Sequence, residues 1–337
     1  MKSAILTTLL FSNFLLFNAA INAQTTLIEK RAPSKTFPRL QSIAITPNNT
    51  VWASGTKGNV VMSIDNGQSW QTKIVPESAT LQFRDIWANN TTVFLLAAGE
   101  GEQSRLYRSD DNGDNWTLQY TMNNPKGFIN CFDFWDENNG LVFGDSIDDK
   151  LFMLRTTDGG KNWSRLVTAP LAQKGGEGGF SASGSCVRVG SNGQVWASTG
   201  ATKSARLLRS TDRGLTWNST PLPYPKGDTA GIFSTIPDSQ WTFGGRMKEP
   251  EITGYHLVEQ QWKATKNIGL KGAIYGSDSY LNNLIVVNPD GVSLSKDNGK
   301  HWQKISSDSY WVVEFDNNGT AWLAGPQGRI SSLTLGK

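Results

Sequence analysis

Five copies of one eight-residue motif recur along the chain, at Ser63 to Trp70, Ser109 to Trp116, Thr156 to Trp163, Ser210 to Trp217 and Ser295 to Trp302. Each reads Ser/Thr-x-Asp-x-Gly-x-x-Trp, the pattern known as the Asp box. A fixed motif that returns at regular intervals marks a repeat architecture, and this constrains the fold more than any other feature. The chemistry of the motif is that of a turn. Asp65, Asp111, Asp158, Asp212 and Asp297 can accept hydrogen bonds from backbone N–H groups of their own turns. Gly67, Gly113, Gly160, Gly214 and Gly299 supply a positive φ without steric cost. Trp70, Trp116, Trp163, Trp217 and Trp302 begin the next strand and offer an apolar face. The Ser or Thr ends the preceding strand. Turn chemistry accounts for every fixed position without catalysis. Asp110 to Asp114 resembles a calcium loop only faintly, because it lacks the distal bidentate Glu.

Spacing counts the repeats. Trp70, Trp116, Trp163 and Trp217 are separated by 46, 47 and 54 residues, and Trp302 follows after 85, nearly two periods. A degenerate copy therefore belongs midway, and Trp262 stands there in Glu259-Gln260-Gln261-Trp262. A second marker runs between the boxes: Val51-Trp52-Ala53-Ser54-Gly55, Val195-Trp196-Ala197-Ser198, Gln240-Trp241-Thr242-Phe243-Gly244 and Ala321-Trp322-Leu323-Ala324-Gly325. The last copy has no box after it. Its repeat contains strands near Trp311–Phe315, Ala321–Ala324 and Arg329–Leu333 and is one strand short. Thr26–Glu29, ahead of the first repeat, is a spare strand that can complete it. The expectation is an all-β, seven-bladed propeller over residues 24–337, closed by an N-terminal strand, which leaves little open sheet edge. Short apolar runs such as Leu40–Ile45, Val93–Ala98 and Ile129–Phe134, bounded by Asn, Asp, Gly and Ser, agree with this.

Residues 1–23 stand apart. Lys2, the apolar stretch Ala4–Ala20 and Ile21-Asn22-Ala23 read as a secretory signal peptide cleaved after Ala23. Thr7, Thr8, Ser12, Asn13 and Asn18 interrupt the run and argue against an uncleaved membrane anchor. The expected location is secreted or periplasmic, with no transmembrane segment after cleavage. Removing Lys2 leaves 31 basic against 29 acidic side chains. That balance does not suit nucleic acid or a membrane surface. Cys131 and Cys186 can form one disulfide after export or remain as two buried thiols. Two Cys and two His, widely spaced, give no metal or haem site, and no dinucleotide, phosphate-loop or nucleophile-elbow motif occurs, so no cofactor is expected.

In a propeller blade the Asp box joins the third strand to the outermost one, on one face. The connections between the second and third strands, and those leading into the next blade, lie on the other. Binding residues usually sit on loops of a rigid scaffold. Blades two and three place Glu100, Glu102, Asp145, Asp148 and Asp149 on that second face; blades four and five place Lys203, Arg206, Arg246 and Lys248 there. Arg39 and Arg84 fall near the starts of innermost strands. The 54-residue interval contains an insertion, Thr168 to Ser183, which brings Glu177 to the same face. Solvated loop charges explain this pattern in the plainest way. The sharper expectation is a charge-split funnel for a protein or glycan partner, with Arg39, Arg84, Glu100, Asp145, Asp148, Glu177, Arg206 and Arg246 as candidate binding residues.

The stretch Cys131–Gly245 resembles the photosystem II stability/assembly-factor-like branch of the BNR/Asp-box propellers. The resemblance rests on Phe134-Trp135-Asp136, Gly140, Phe143-Gly144-Asp145, Leu154 to Gly160, Ser183-Gly184-Ser185-Cys186, Arg209 to Gly214 and Gly231-Ile232-Phe233. It implies an exported seven-bladed propeller, with a chaperone or assembly role in photosynthetic members. Where Gly-Gly-Asp is expected, this chain has Gly244-Gly245-Arg246. Asp boxes also occur in sialidases and other glycosidases. Phe37-Pro38-Arg39-Leu40 only scrambles the early sialidase string, and general glycoside hydrolysis needs two facing carboxylates, for which Asp145 and Glu177 are the candidates. The reading adopted is a non-enzymatic binding or assembly scaffold, with a glycan-binding protein or glycoside hydrolase as the alternative.

Overall fold

The computed structural model describes residues 26–30, 38–200, 203–248, 252–265 and 267–335. The proposed signal peptide lies outside the described residues. The strands form seven four-stranded antiparallel sheets, the blades of a propeller. Six blades are built from consecutive strands. The seventh takes Val312–Phe315, Thr320–Ala324 and Ile330–Thr334 from the end of the chain and Ile28–Glu29 from its beginning. Ile28 pairs with Ser332 and Glu29 with Ser331. The box Trp of blade one secures this seam, its Nε1 donating to the Lys30 carbonyl at 2.9 Å.

The core is divided rather than central. Seven apolar clusters each lie between two neighbouring blades. The second sequence marker acquires its reason here. Trp52, Trp241 and Trp322 sit under the box glycine of the following blade, facing Gly113, Gly299 and Gly67. A Cβ at Gly299 would stand 2.3 Å from the Trp241 ring, so the box must carry glycine for contact as well as for its φ of 81°. Trp196 of blade four has no such glycine above it and packs edge-on against Trp262, ring centroids 5.9 Å apart. Blade five replaces the box with a two-residue hairpin turn, Glu259 and Gln260 at φ 50° and 64° between the paired Val258 and Gln261.

The boxes themselves repeat one hydrogen-bond pattern. In the first, Ser63 Oγ accepts the Gly67 N–H at 2.8 Å and donates to Asp65 Oδ1 at 2.8 Å. Asp65 also accepts the Ser69 N–H at 2.9 Å and the Ser69 hydroxyl at 2.5 Å. The Ser or Thr is thus part of the turn, beyond ending the strand. Asn115, Asn162, Thr216 and His301 take the place of Ser69 in the other four boxes.

Around the axis, side chains of the innermost strands stitch one blade to the next. Asp85, Asp133 and Asp278 each accept the N–H of the following residue and an N–H of the next blade: Phe132 at 2.9 Å, Val189 at 2.8 Å and Phe315 at 2.7 Å. A disulfide, Cys131–Cys186, joins blade three to the strand leading into blade four, with Cα atoms 6.0 Å apart. Cys131 lies in its innermost strand; Cys186 lies just before Val187–Val189, not within it.

Candidate functional site

Four innermost strands carry a bulge at the same place, leaving Gln41, Arg84, Asn130 and Phe233 as the extra residue. A bulge re-aims the side chain it adds. Gln41, Arg84 and Asn130 line a recess of about 400 Å³ at the axis, on the face away from the Asp boxes. Its wall also holds Arg39, Asp145, Phe180, Tyr275 and Trp311.

The insertion shapes this recess from within. Residues 178–186 cross the axis as a plug. Gly200 donates to the Gly178 carbonyl at 2.9 Å, Phe180 stacks on Phe233 of blade five with centroids 3.9 Å apart, and Ser181 accepts from Arg84 of blade two at 3.0 Å. Ser183 donates to the Tyr275 carbonyl at 2.6 Å. Gly184 lies so close to Asp85 that a Cβ there would be 2.2 Å from its Oδ1. Gly179 to Ala182 floor the funnel, while Gly184 lines a separate recess on the box face.

Arg39 and Arg84 share the funnel with two carboxylates, Asp145 and Asp228. Arg39 lies over the Trp311 ring at 5.1 Å, a cation–π contact. Its Nε is buried with no hydrogen-bond partner, as is the Gln41 Oε1 beside it. Arg84 donates to Gln82 and Ser181, both neutral. Burial and the Arg39 charge hold its pKa below the ordinary arginine value. Among the described residues neither guanidinium pairs with a carboxylate. Two adjacent, partly desolvated cations without a counter-ion favour an incoming anion. Phe180, Tyr275 and Trp311 continue the wall; Phe180 and Tyr275 both stack on the buried Phe233, and Tyr275 meets Trp311 edge-on, with centroid separations of 3.9, 5.6 and 5.4 Å. Across from them, burial pushes Asp145 up to about 6, although Asn130 donates to it at 2.7 Å.

The structure therefore brings together Arg39, Arg84 and Asp145. It does not bring in the others. Glu177 and Arg206 form a buried ion pair, with the Glu177 side chain 0% exposed. Gln173 and Thr199 also donate to Glu177. A buried pair of this kind fixes the insertion against blade four and leaves no free charge for a ligand. The funnel is accordingly not split between acidic and basic halves as expected, and Asp145 with Glu177 is not a pair of facing, free carboxylates. Arg246 donates to the Lys226 carbonyl at 2.9 Å. Asp148 occupies a turn at φ 53°, and Glu100 is exposed beside a short 3-10 turn. Asp110 and Asp114 bond to Arg108 and Lys73, and Asp111 to its own box. The sequence reading missed Phe180, Tyr275 and Trp311. Aligning the innermost strands at Leu40-Gln41-Ser42, Phe83-Arg84-Asp85 and Ile232-Phe233-Ser234 would have singled out the bulge position.

Residues 22–147 match the family described as photosynthesis system II assembly factor YCF48. The resemblance is to the photosystem II assembly-factor propellers. The matched segment overlaps only the start of the stretch whose motifs suggested it. A solved structure described as YCF48 bound to D1 peptide superposes with a TM-score of 0.66 at 12% identity, covering 94% of this chain and 100% of that one. YCF48 from Cyanidioschyzon merolae gives 0.63 at 15% identity, covering 91% and 99%. BamB from Moraxella catarrhalis gives 0.53 at 11% identity, covering 88% and 83%. Identities this low establish likeness of fold. No curated protein matches the sequence.

Proposed function

We propose that this chain is an exported, non-enzymatic propeller that binds a polypeptide in the axial funnel and serves as an assembly scaffold for a protein or protein complex. The observation that carries the reading is the pair Arg39 and Arg84, adjacent, partly desolvated and without a carboxylate partner among the described residues, beside a wall of aromatic rings. Polypeptides offer both halves of the complement, an anionic carboxylate and apolar side chains. The likeness to YCF48, one structure of which is bound to D1 peptide, supports a peptide ligand over a small metabolite. Export is supported by the leader-like residues 1–23 and by the Cys131–Cys186 disulfide, which suits an oxidising compartment. The commitment of Glu177 to Arg206 weighs against glycoside hydrolysis at Asp145.

The test is affinity capture by the tagged mature chain from its native envelope, beside the double variant Arg39→Glu/Arg84→Glu. The expected outcome is a specific polypeptide held by the native chain and lost by the variant. Equal recovery by both, or capture of glycans alone, defeats the reading.

A further inference from the structure

We propose that the recess on the box face is a second binding site, for an organic cation carrying guanidinium or ammonium N–H donors. The recess has a volume of about 380 Å³ and lies on the opposite side of the plug from the funnel. Five carboxylates from five blades line it, Asp85, Asp133, Asp238, Asp278 and Glu314, with a single cation, Arg188; Asp238 is engaged by the Ser191 N–H and hydroxyl. Arg188 shows what this wall accepts. It reaches from blade four to blade seven, where Nη2 donates to Glu314 Oε2 at 2.6 Å and Nη1 to Oε1 at 3.3 Å.

One guanidinium cannot balance five carboxylates. Asp133 and Asp278 each accept two backbone N–H groups. That leaves about two of a carboxylate's four lone-pair sites open on each. Burial pushes Asp133 up to about 6 and, with Glu314 beside it, Asp278 up to about 7, so both are ionised at alkaline pH. A neutral group points the same way. Thr235 is 1% exposed and lines the recess, and its Oγ1 has no hydrogen-bond partner among the described residues. Leaving a buried hydroxyl unsatisfied is costly, and a bound donor removes that cost.

The geometry also selects the kind of cation. Among the described residues no three His, Cys, Asp or Glu side chains could together hold a metal ion. The carboxylates stand round a ring, beyond the reach of a bare ion but not of a cation with several N–H donors. A free polyamine and a Lys or Arg side chain of a protein partner share this chemistry.

Isothermal titration of the full chain at alkaline pH and low salt, with spermidine, agmatine and a short Arg- and Lys-containing peptide, tests the proposal. Saturable binding is expected, weakened about tenfold by Asp278→Asn and unchanged by Glu102→Gln on the exposed rim. Tighter binding of the peptide assigns the site to a protein side chain; tighter binding of spermidine assigns it to a free amine. Absence of saturable binding by all three probes means that the lumen holds only water, and overturns the proposal. So does native-strength binding by Asp278→Asn. Asp278 also holds the Phe315 N–H, so a second variant guards against a folding defect. Ser279 lines the same recess, and Ser279→Lys supplies a tethered ammonium that should raise Tm and exclude the probes. Undiminished probe binding by that variant overturns the proposal as well.

Discussion

The five box aspartates and the lumen aspartates Asp85, Asp133 and Asp278 all accept backbone N–H groups, yet their carboxyls shift in opposite directions. Those of the boxes fall to about 2. The first cause is a donated side-chain hydrogen bond from Ser69, Asn115, Asn162 or Thr216, and for Asp297 the N–H of His301. In the lumen, Asp133 rises to about 6, Asp278 to about 7 and Asp85 well above the ordinary value, each because burial outweighs its hydrogen bonds. Hydrogen bonding favours the charged form in both places, and access to water decides which effect wins. The rim aspartates hold turns at little electrostatic cost. The lumen aspartates join blades where burial disfavours their charged form.

The largest expected effect separates the two sets directly. Asp85→Ala leaves the N–H groups of Ile86 and Phe132 without their acceptor between blades two and three. A loss of about 2–4 kcal/mol follows in urea denaturation, with Asp65→Ala at the rim losing less. Equal losses would erase the distinction. Next comes the pH profile. A raised folded pKa gives stability that is present below the unfolded value, 3.8, and lost as pH rises through the folded one, about 6 for Asp133 and about 7 for Asp278. The depressed box carboxyls contribute stability above 3.8 that is lost as pH falls through about 2. The native chain should therefore resist denaturant better at about pH 5 than at about pH 8, and Asp133→Asn/Asp278→Asn should flatten that interval. A native chain that weakens on acidification from pH 8 to pH 5 contradicts the assignment. The smallest effect sharpens the rim side. Asp65→Asn in one box of five should lower Tm slightly at neutral pH and soften the acid limb below about pH 4, with no change between pH 5 and pH 8.

The fold was legible because its determinants are local. Each box carries its own acceptor, glycine and Trp within eight residues, so spacing alone located the blades and the seam at Ile28–Glu29. Even the irregular blade five kept Trp262 in register, although a two-residue turn replaced its box. The site was legible only in part. Arg39 and Arg84 were placed near the axis by their position at the starts of innermost strands, and Asp145 only on the same loop face. Glu177 and Arg206 carried the same signal, charge in a loop on the right face, but they neutralise each other across 29 residues of sequence. Phe180 belongs to an insertion whose partners come from blades two, five and six, a combination that no local pattern encodes.

The seam has a consequence for how the chain is made. Ile28–Glu29 precedes every blade yet takes its strand partner from Ile330–Thr334. A polypeptide growing from its N-terminus carries that strand unmatched through the making of six blades, and the circle shuts only once Ile330–Thr334 has emerged. A product that stops before Ile330 leaves blade seven without its two outer strands. Ring closure thus requires a chain that extends through Ile330–Thr334.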